Sequence, residues 1–173
     1  SPTFSGYIRI RVGGVDEKTG KTGIAHFFEH LAFKGTTVVG TKNWKKEKKV
    51  LLKINQVGEA LSQAMIESRG QINPWIKKLK ERLKRLQKQH SKHVKKSEFS
   101  RIYQSAGGVG LNATTSKDLT SYFIQLPSNR LSLWAHQEAS RLAAPVFREY
   151  YRERDVVIEE RRMGMSKGGR RLY

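Results

Sequence analysis

Two histidines four residues apart, with an acid between them, set the strongest constraint on this chain. The segment is His26-Phe27-Phe28-Glu29-His30. Ile24, Phe27, Phe28 and Leu31 recur around it at helical spacing, between Gly23 and Gly35. On a helix, residues at i and i+4 leave one face a turn apart, so both imidazoles project together. Glu29, at i+3 from His26, lies close to that face. Two neutral ring nitrogens so placed suit one divalent ion, and zinc takes such nitrogens at about 2.0–2.1 Å. A catalytic site wants a third protein donor. The chain must therefore fold so that a distant residue returns to this helix.

The last helical segment, expected over Phe147–Met163, supplies the candidate. Glu153 and Glu160 are seven positions apart, two helical turns, and share a face with Val156 and Val157. A carboxylate on an apolar face is costly unless it is paired or binds a metal. Glu160 is the expected third ligand. Glu153 is expected as a carboxylate supporting the site or polarising substrate, while Asp155 and Glu159 point to solvent. Glu29 then serves as general base on metal-activated water and as proton donor to the leaving amine. Two histidines and one carboxylate suit zinc. Against this stands a plainer reading, with the histidines as core or surface residues and the glutamates as solvated partners of arginine at i+4.

The surrounding pattern is mixed α and β. Phe4–Val12 alternates as a strand, with Tyr7, Arg9 and Arg11 on one face and Ile8, Ile10 and Val12 on the other. Residues 107–127 read as loop, strand, turn and strand, and Ser121–Leu126 alternates well. Arg130–Ala143 reads as a helix with Leu131, Trp134 and Leu142 inward. The tail from Gly164 reads as loop. The expected fold is α+β, an antiparallel sheet with helices packed on one face.

Charge divides the 173 residues unevenly. The chain has a formal net charge of +19, and residues 42–98 hold 17 Lys and Arg against 5 acids. Within them Val50, Ile54, Val57, Leu61 and Met65 form one apolar stripe, and Ile76, Leu79, Leu83, Leu86 and His90 a second, with Gly70 and Pro74 between. This predicts an inserted basic helical hairpin, with a second helix over Trp75–Lys96, inside one domain spanning 1–173. His90 and His93 are read as helix surface. Such a hairpin could contact nucleic acid or an anionic membrane as a non-catalytic module. The balance is against nucleic acid, since no aromatic interleaves the run beyond Trp75. Lys-rich faces that keep the hairpin soluble are the plainer account.

Other classes drop out. No apolar run approaches the roughly 18 residues of a membrane span. Cysteine is absent, which removes disulfides, thiolate nucleophiles and Cys-ligated metals. Gly14 to Gly20-Lys21-Thr22 mimics a phosphate loop, but five residues separate its glycines where four are needed.

Three blocks together resemble the pitrilysin/insulysin (insulinase-type) zinc metallopeptidases, which include the mitochondrial processing peptidases. They are GIAHFFEHLAFKGT, GGVGLNATTSKDLTSYF and ERDVVIEERRM, in that order. The resemblance implies zinc held by His26, His30 and Glu160, with Glu29 as general base and Glu153 in support. It implies that Asn112 and Ala113 lie on an edge strand to which an extended peptide adds as a further strand. Glu160 follows His30 by 130 positions, more than in most relatives by about the length of the hairpin. The resemblance further implies more sheet than this chain holds, and a second homologous half or partner subunit. This chain reads as an incomplete N-terminal-type domain. No targeting segment is visible, and the resemblance is compatible with the bacterial periplasm or an organelle such as the mitochondrion.

Overall fold

The computed structural model of this chain describes residues 2–166. They form two compact units. One combines the residues up to Val39 with those from Ser97 onward, and the other is Gly40–Lys96. The second unit starts and ends two residues before the segment marked out by charge.

In the first unit, β1 (Thr3–Ile10), β2 (Val109–Thr115) and β3 (Thr120–Pro127) form an antiparallel sheet in the order β1-β3-β2. β1 and β3 pair without interruption from Thr3 opposite Pro127 to Ile10 opposite Thr120. The expected α+β class holds. Alternation explains the register, because β3 buries Tyr122, Ile124 and Leu126 on one face, and a slip of one residue would expose all three. β1 ends at Ile10 rather than Val12. The Val12 N–H turns back to the Ile10 carbonyl at 2.8 Å, and its side chain is exposed.

Four helices belong to this unit: α1 (Ile24–Leu31), α4 (Glu98–Ser105), α5 (Leu131–Ala143) and α6 (Tyr150–Ser166). α4 escaped the sequence reading, which let the hairpin run into it. Its signal was there in Phe99, Ile102 and Tyr103 at i, i+3 and i+4. Phe99 and Tyr103 form the core with Ile124 and Leu126, and Phe4, Phe33 and Trp134 pack around them.

α5 differs from expectation in its orientation. Leu131 and Leu142 are 55% and 54% exposed, while Gln137, Glu138 and Arg141 are buried. This polar face is tolerated because its charges are paired. Arg141 forms an ion pair with Glu138. Glu138 accepts a hydrogen bond from the Tyr103 hydroxyl at 2.6 Å, and the guanidinium lies 4.1 Å from the Tyr122 ring centre. Trp134 does face inward, edge-on to Phe4. A Cβ at Gly6 would lie 2.5 Å from the Trp134 Nε1, so that strand position requires glycine.

The last helix starts at Tyr150, not Phe147, because Glu149 takes φ 57° and breaks the α geometry before it. Val157 is buried on its inner side, but Val156 is 39% exposed and leaves that sector. Of the tail read as loop, residues 164–166 continue α6, and residues 167–173 lie outside the described residues.

The second unit contains α2 (Trp44–Glu67) and α3 (Pro74–Ser91). Asn43 and Asn73 cap their starts, accepting from the Lys46 and Ile76 amides at 3.0 and 2.8 Å. Val50, Ile54 and Val57 are buried on one helix and Ile76, Leu79 and Leu83 on the other. α3 ends at Ser91 instead of reaching Lys96, since Val94 bridges to Thr41 and the Lys42 amide donates to the His93 carbonyl. His90 is not surface. It is buried, with Nε2 3.0 Å from Oε1 of the buried Glu47 on α2.

Candidate metal centre

α1 is short and is preceded by Gly23, which offers no side chain to its free amides. Glu17 supplies one from the preceding loop. Its carboxylate accepts from the Gly23 and Ala25 amides, each at 2.7 Å. The amides that a phosphate would need under the nucleotide reading are thus held by the chain's own anion. At the other end the helix tightens into a single turn, Ala32–Lys34, and Gly35 stops it at φ 91°. A Cβ at Gly35 would lie 2.4 Å from the Val39 carbonyl oxygen.

α6 is fastened against α1 along its length. Phe27 meets Tyr150 and Phe28 meets Phe147 edge-on, with ring centres 4.9 and 4.8 Å apart. Arg161 donates to the Thr22 hydroxyl at 2.9 Å. At the entry to α6, the buried Arg148 guanidinium donates to the Lys34 and Thr36 carbonyls at 2.9 and 2.7 Å. These contacts carry Glu153 and Glu160 to the histidine face of α1.

His26, His30 and Glu160 come together with one donor atom each within 4.8 Å of the others. His26 Nε2 and His30 Nε2 are 3.1 Å apart. Glu160 Oε2 lies 3.7 Å from the first and 3.6 Å from the second. Tetrahedral ligands at zinc distances stand roughly 3.3–3.4 Å from one another. The donor set and its spacing therefore fit a zinc-sized ion. His26 has its pKa lowered from the ordinary 6.5, chiefly by burial and then by His30, with Glu29, Glu160 and Glu17 opposing. That favours the neutral imidazole a metal requires.

Glu29 and Glu153 sit differently. Glu29 is 8% exposed, and its Oε2 accepts from the Thr115 hydroxyl at the end of β2. Glu153 Oε2 lies 3.5 Å from His30 Nδ1, the ring nitrogen turned away from the donor cluster. Its Oε1 takes a 2.6 Å ion pair from Lys34, which also reaches Glu149 at 3.4 Å. Thr115, Lys34 and Glu17 were not read from the sequence. They act by one or two contacts each from a loop or the end of an element, and no periodicity marks them.

Asn112 and Ala113 lie on β2, at one edge of the sheet among the described residues, opposite Phe123 and Tyr122 of β3. The ladder shifts register between Val109 and Asn112. Asn112 is exposed, and its Oδ1 accepts from the Ala113 amide at 2.9 Å.

Helix-borne histidines meeting a returning carboxylate beside an antiparallel sheet make an arrangement of the kind that inverted H-x-x-E-H metallopeptidases use. The insulinase family of peptidases (peptidase family M16) matches residues 3–71. The chain is 28% identical to the zinc protease PqqE of Helicobacter pylori over 157 residues, which is 90% of this chain and 23% of that protein. A solved structure, the crystal structure of a protease from Helicobacter pylori, superposes with a TM-score of 0.61 at 24% identity. It covers 98% of this chain and 28% of that one, and at this identity the likeness is one of fold. The chain thus spans about a quarter of the length of these relatives. Over residues 3–71 it resembles the insulinase family of peptidases, the family that its three motif blocks led us to expect.

Proposed function

We propose that this chain carries the zinc centre of a metalloendopeptidase that cleaves peptides or unfolded segments. One observation carries the reading: the convergence of the His26, His30 and Glu160 donor atoms beside a nearly buried Glu29. His26 and His30 would hold the ion through Nε2 and Glu160 through a carboxylate oxygen. Bound there, zinc supplies Lewis acidity toward water and the scissile carbonyl.

The remaining work falls to side chains. Glu29 takes the proton of the attacking water on a carboxylate oxygen and delivers it to the leaving amide nitrogen. Glu153 acts on His30, fixing its ring through Nδ1, and Lys34 holds Glu153 in place. The substrate adds as a strand along the outer side of β2, beside Asn112 and Ala113. Asn112 then releases the Ala113 amide, which its own side chain now holds. Because the relatives are much longer, the rest of the substrate cleft is assigned to a second homologous half or partner subunit.

The test is metal content. The purified chain should retain one zinc, and Glu160→Gln and His26→Ala should each lose it. Cleavage of an unstructured peptide, tested with a candidate second half, should vanish in Glu29→Gln while zinc remains. A folded chain that takes up no zinc would overturn the reading.

A further inference from the structure

The hairpin of residues 40–96 carries a surface that the metal centre does not use. Around the turn between α2 and α3, Ile66, Ile72 and Trp75 are 71%, 56% and 53% exposed. Three bulky apolar side chains thus face water within ten positions. Arg69, Lys77 and Lys78 flank them, all exposed, with Glu67 as the one acid of the turn. Every Lys and Arg of this unit is exposed, while Glu47, one of its few acids, is buried against His90.

Solubility explains the cations but not the apolar tip. A hairpin that only needed to stay in water would carry polar residues at its turn. An indole beside isoleucines, ringed by Lys and Arg, matches the chemistry of a bilayer interface. Aliphatic side chains enter the acyl boundary and Trp sits at headgroup level. Lysine and arginine stems extend along the boundary and bring their charges to anionic headgroups. A nucleic acid would use the same cations and leave the tip idle, and α3 offers no aromatic among its basic residues beyond Trp75. No described helix is long and apolar enough to cross a membrane, so the contact is peripheral.

We propose that the turn of this hairpin docks on anionic phospholipid bilayers, with Ile66, Ile72 and Trp75 entering the interface and the flanking Lys and Arg on the headgroups. Docking of this kind would hold the chain at a membrane surface through a segment separate from the metal ligands.

The experiment uses the whole chain with phosphatidylserine–phosphatidylcholine vesicles, phosphatidylcholine vesicles and heparin. Binding should require phosphatidylserine and weaken about tenfold or more as salt rises. Lipid carrying brominated acyl chains should quench a tryptophan signal that is missing from Trp75→Phe. The double variant Ile72→Ser/Trp75→Ser should lose about tenfold or more in vesicle affinity while keeping its heparin affinity and circular dichroism. Equal vesicle binding by that variant overturns the proposal. So does a Trp75 that brominated lipid never quenches. Self-association of the parent chain that the same substitutions abolish, with no vesicle binding, overturns it in favour of a second copy as occupant.

Discussion

The Thr115 hydroxyl donates a hydrogen bond to the Glu29 carboxylate, tying the last residue of β2 to the helix that carries both histidines. Thr115 also lies within 3.4 Å of the Thr120 hydroxyl across the β-turn, and Thr120 in turn donates to the Val12 carbonyl. The proposed general base is thus positioned by the strand beside which the proposal lays the substrate. A nearly buried carboxylate with one such donor has a fixed rotamer and a defined proton-accepting oxygen. Thr115→Val keeps the shape and removes the donor. Its kcat should fall by about tenfold to a hundredfold with zinc content unchanged. A kcat equal to the parent's would show that Glu29 needs no help from Thr115.

The Lys34–Glu153–His30 chain makes a separate prediction about metal affinity. Metal-bound histidines are commonly fixed by a carboxylate on their second nitrogen, and losing it costs roughly 10–100-fold in affinity. Glu153→Gln should weaken zinc binding by about that factor. Lys34→Met should weaken it less, because the Glu153 carboxylate then remains and loses only its 2.6 Å anchor. Competition with a chelator of known affinity measures both. If Glu153 served only to polarise substrate, zinc affinity would stay at the parent value and only turnover would drop.

Arg141 tests what holds the sheet to α5. Its guanidinium pairs with Glu138 and stacks on the Tyr122 ring, with Phe99 and Phe33 at 5.3 and 5.7 Å. Removing one member of a buried ion pair leaves the other charge stranded, at a cost of about 3–5 kcal/mol. Arg141→Met should therefore cost about that much in chemical denaturation. The double change Arg141→Met/Glu138→Gln should recover part of the loss, since no bare charge remains. A double variant as weak as the sum of both singles would mean that the ring stacking, not the pair, matters.

How far the sequence reached depends on which interactions wrote a pattern into it. The helical phase of Ile24 to Leu31 and the alternation of Ser121–Leu126 repeat, so α1 and β3 were legible. The returning carboxylates were legible too, because Glu153 and Glu160 repeat at two turns beside Val157. α5 misled because its buried face is Gln137, Glu138 and Arg141. Periodicity counts apolar residues, and here Glu138 and Arg141 are inside because they pair with each other and with Tyr103 and Tyr122, while Gln137 is buried as well. His90 was hidden for the same reason, its partner Glu47 lying 43 positions away. The start of α6 was misplaced because no residue pattern announces a positive φ at Glu149.

The tyrosines give a pH prediction whose sign follows from burial. Tyr122 is pushed up to about 12 from an ordinary 10.0, by burial first, with the Arg141 cation opposing and Glu29 and Glu138 adding. Tyr103 is raised also, by burial and then by its hydrogen bond to Glu138. A phenol whose folded pKa lies above its unfolded one favours folding while it stays neutral. That contribution is complete below the unfolded value of 10.0 and is lost as pH climbs toward 12. Tyr103 and Tyr122 should therefore fail to ionise near pH 10 in ultraviolet titration. They should appear only at higher pH or together with unfolding. Tyr122→Phe keeps the ring under Arg141 and removes one titrating proton, so stability should fall less steeply with pH between 10 and 12. Ionisation of Tyr103 and Tyr122 near pH 10 in a folded chain would contradict their packing in the core.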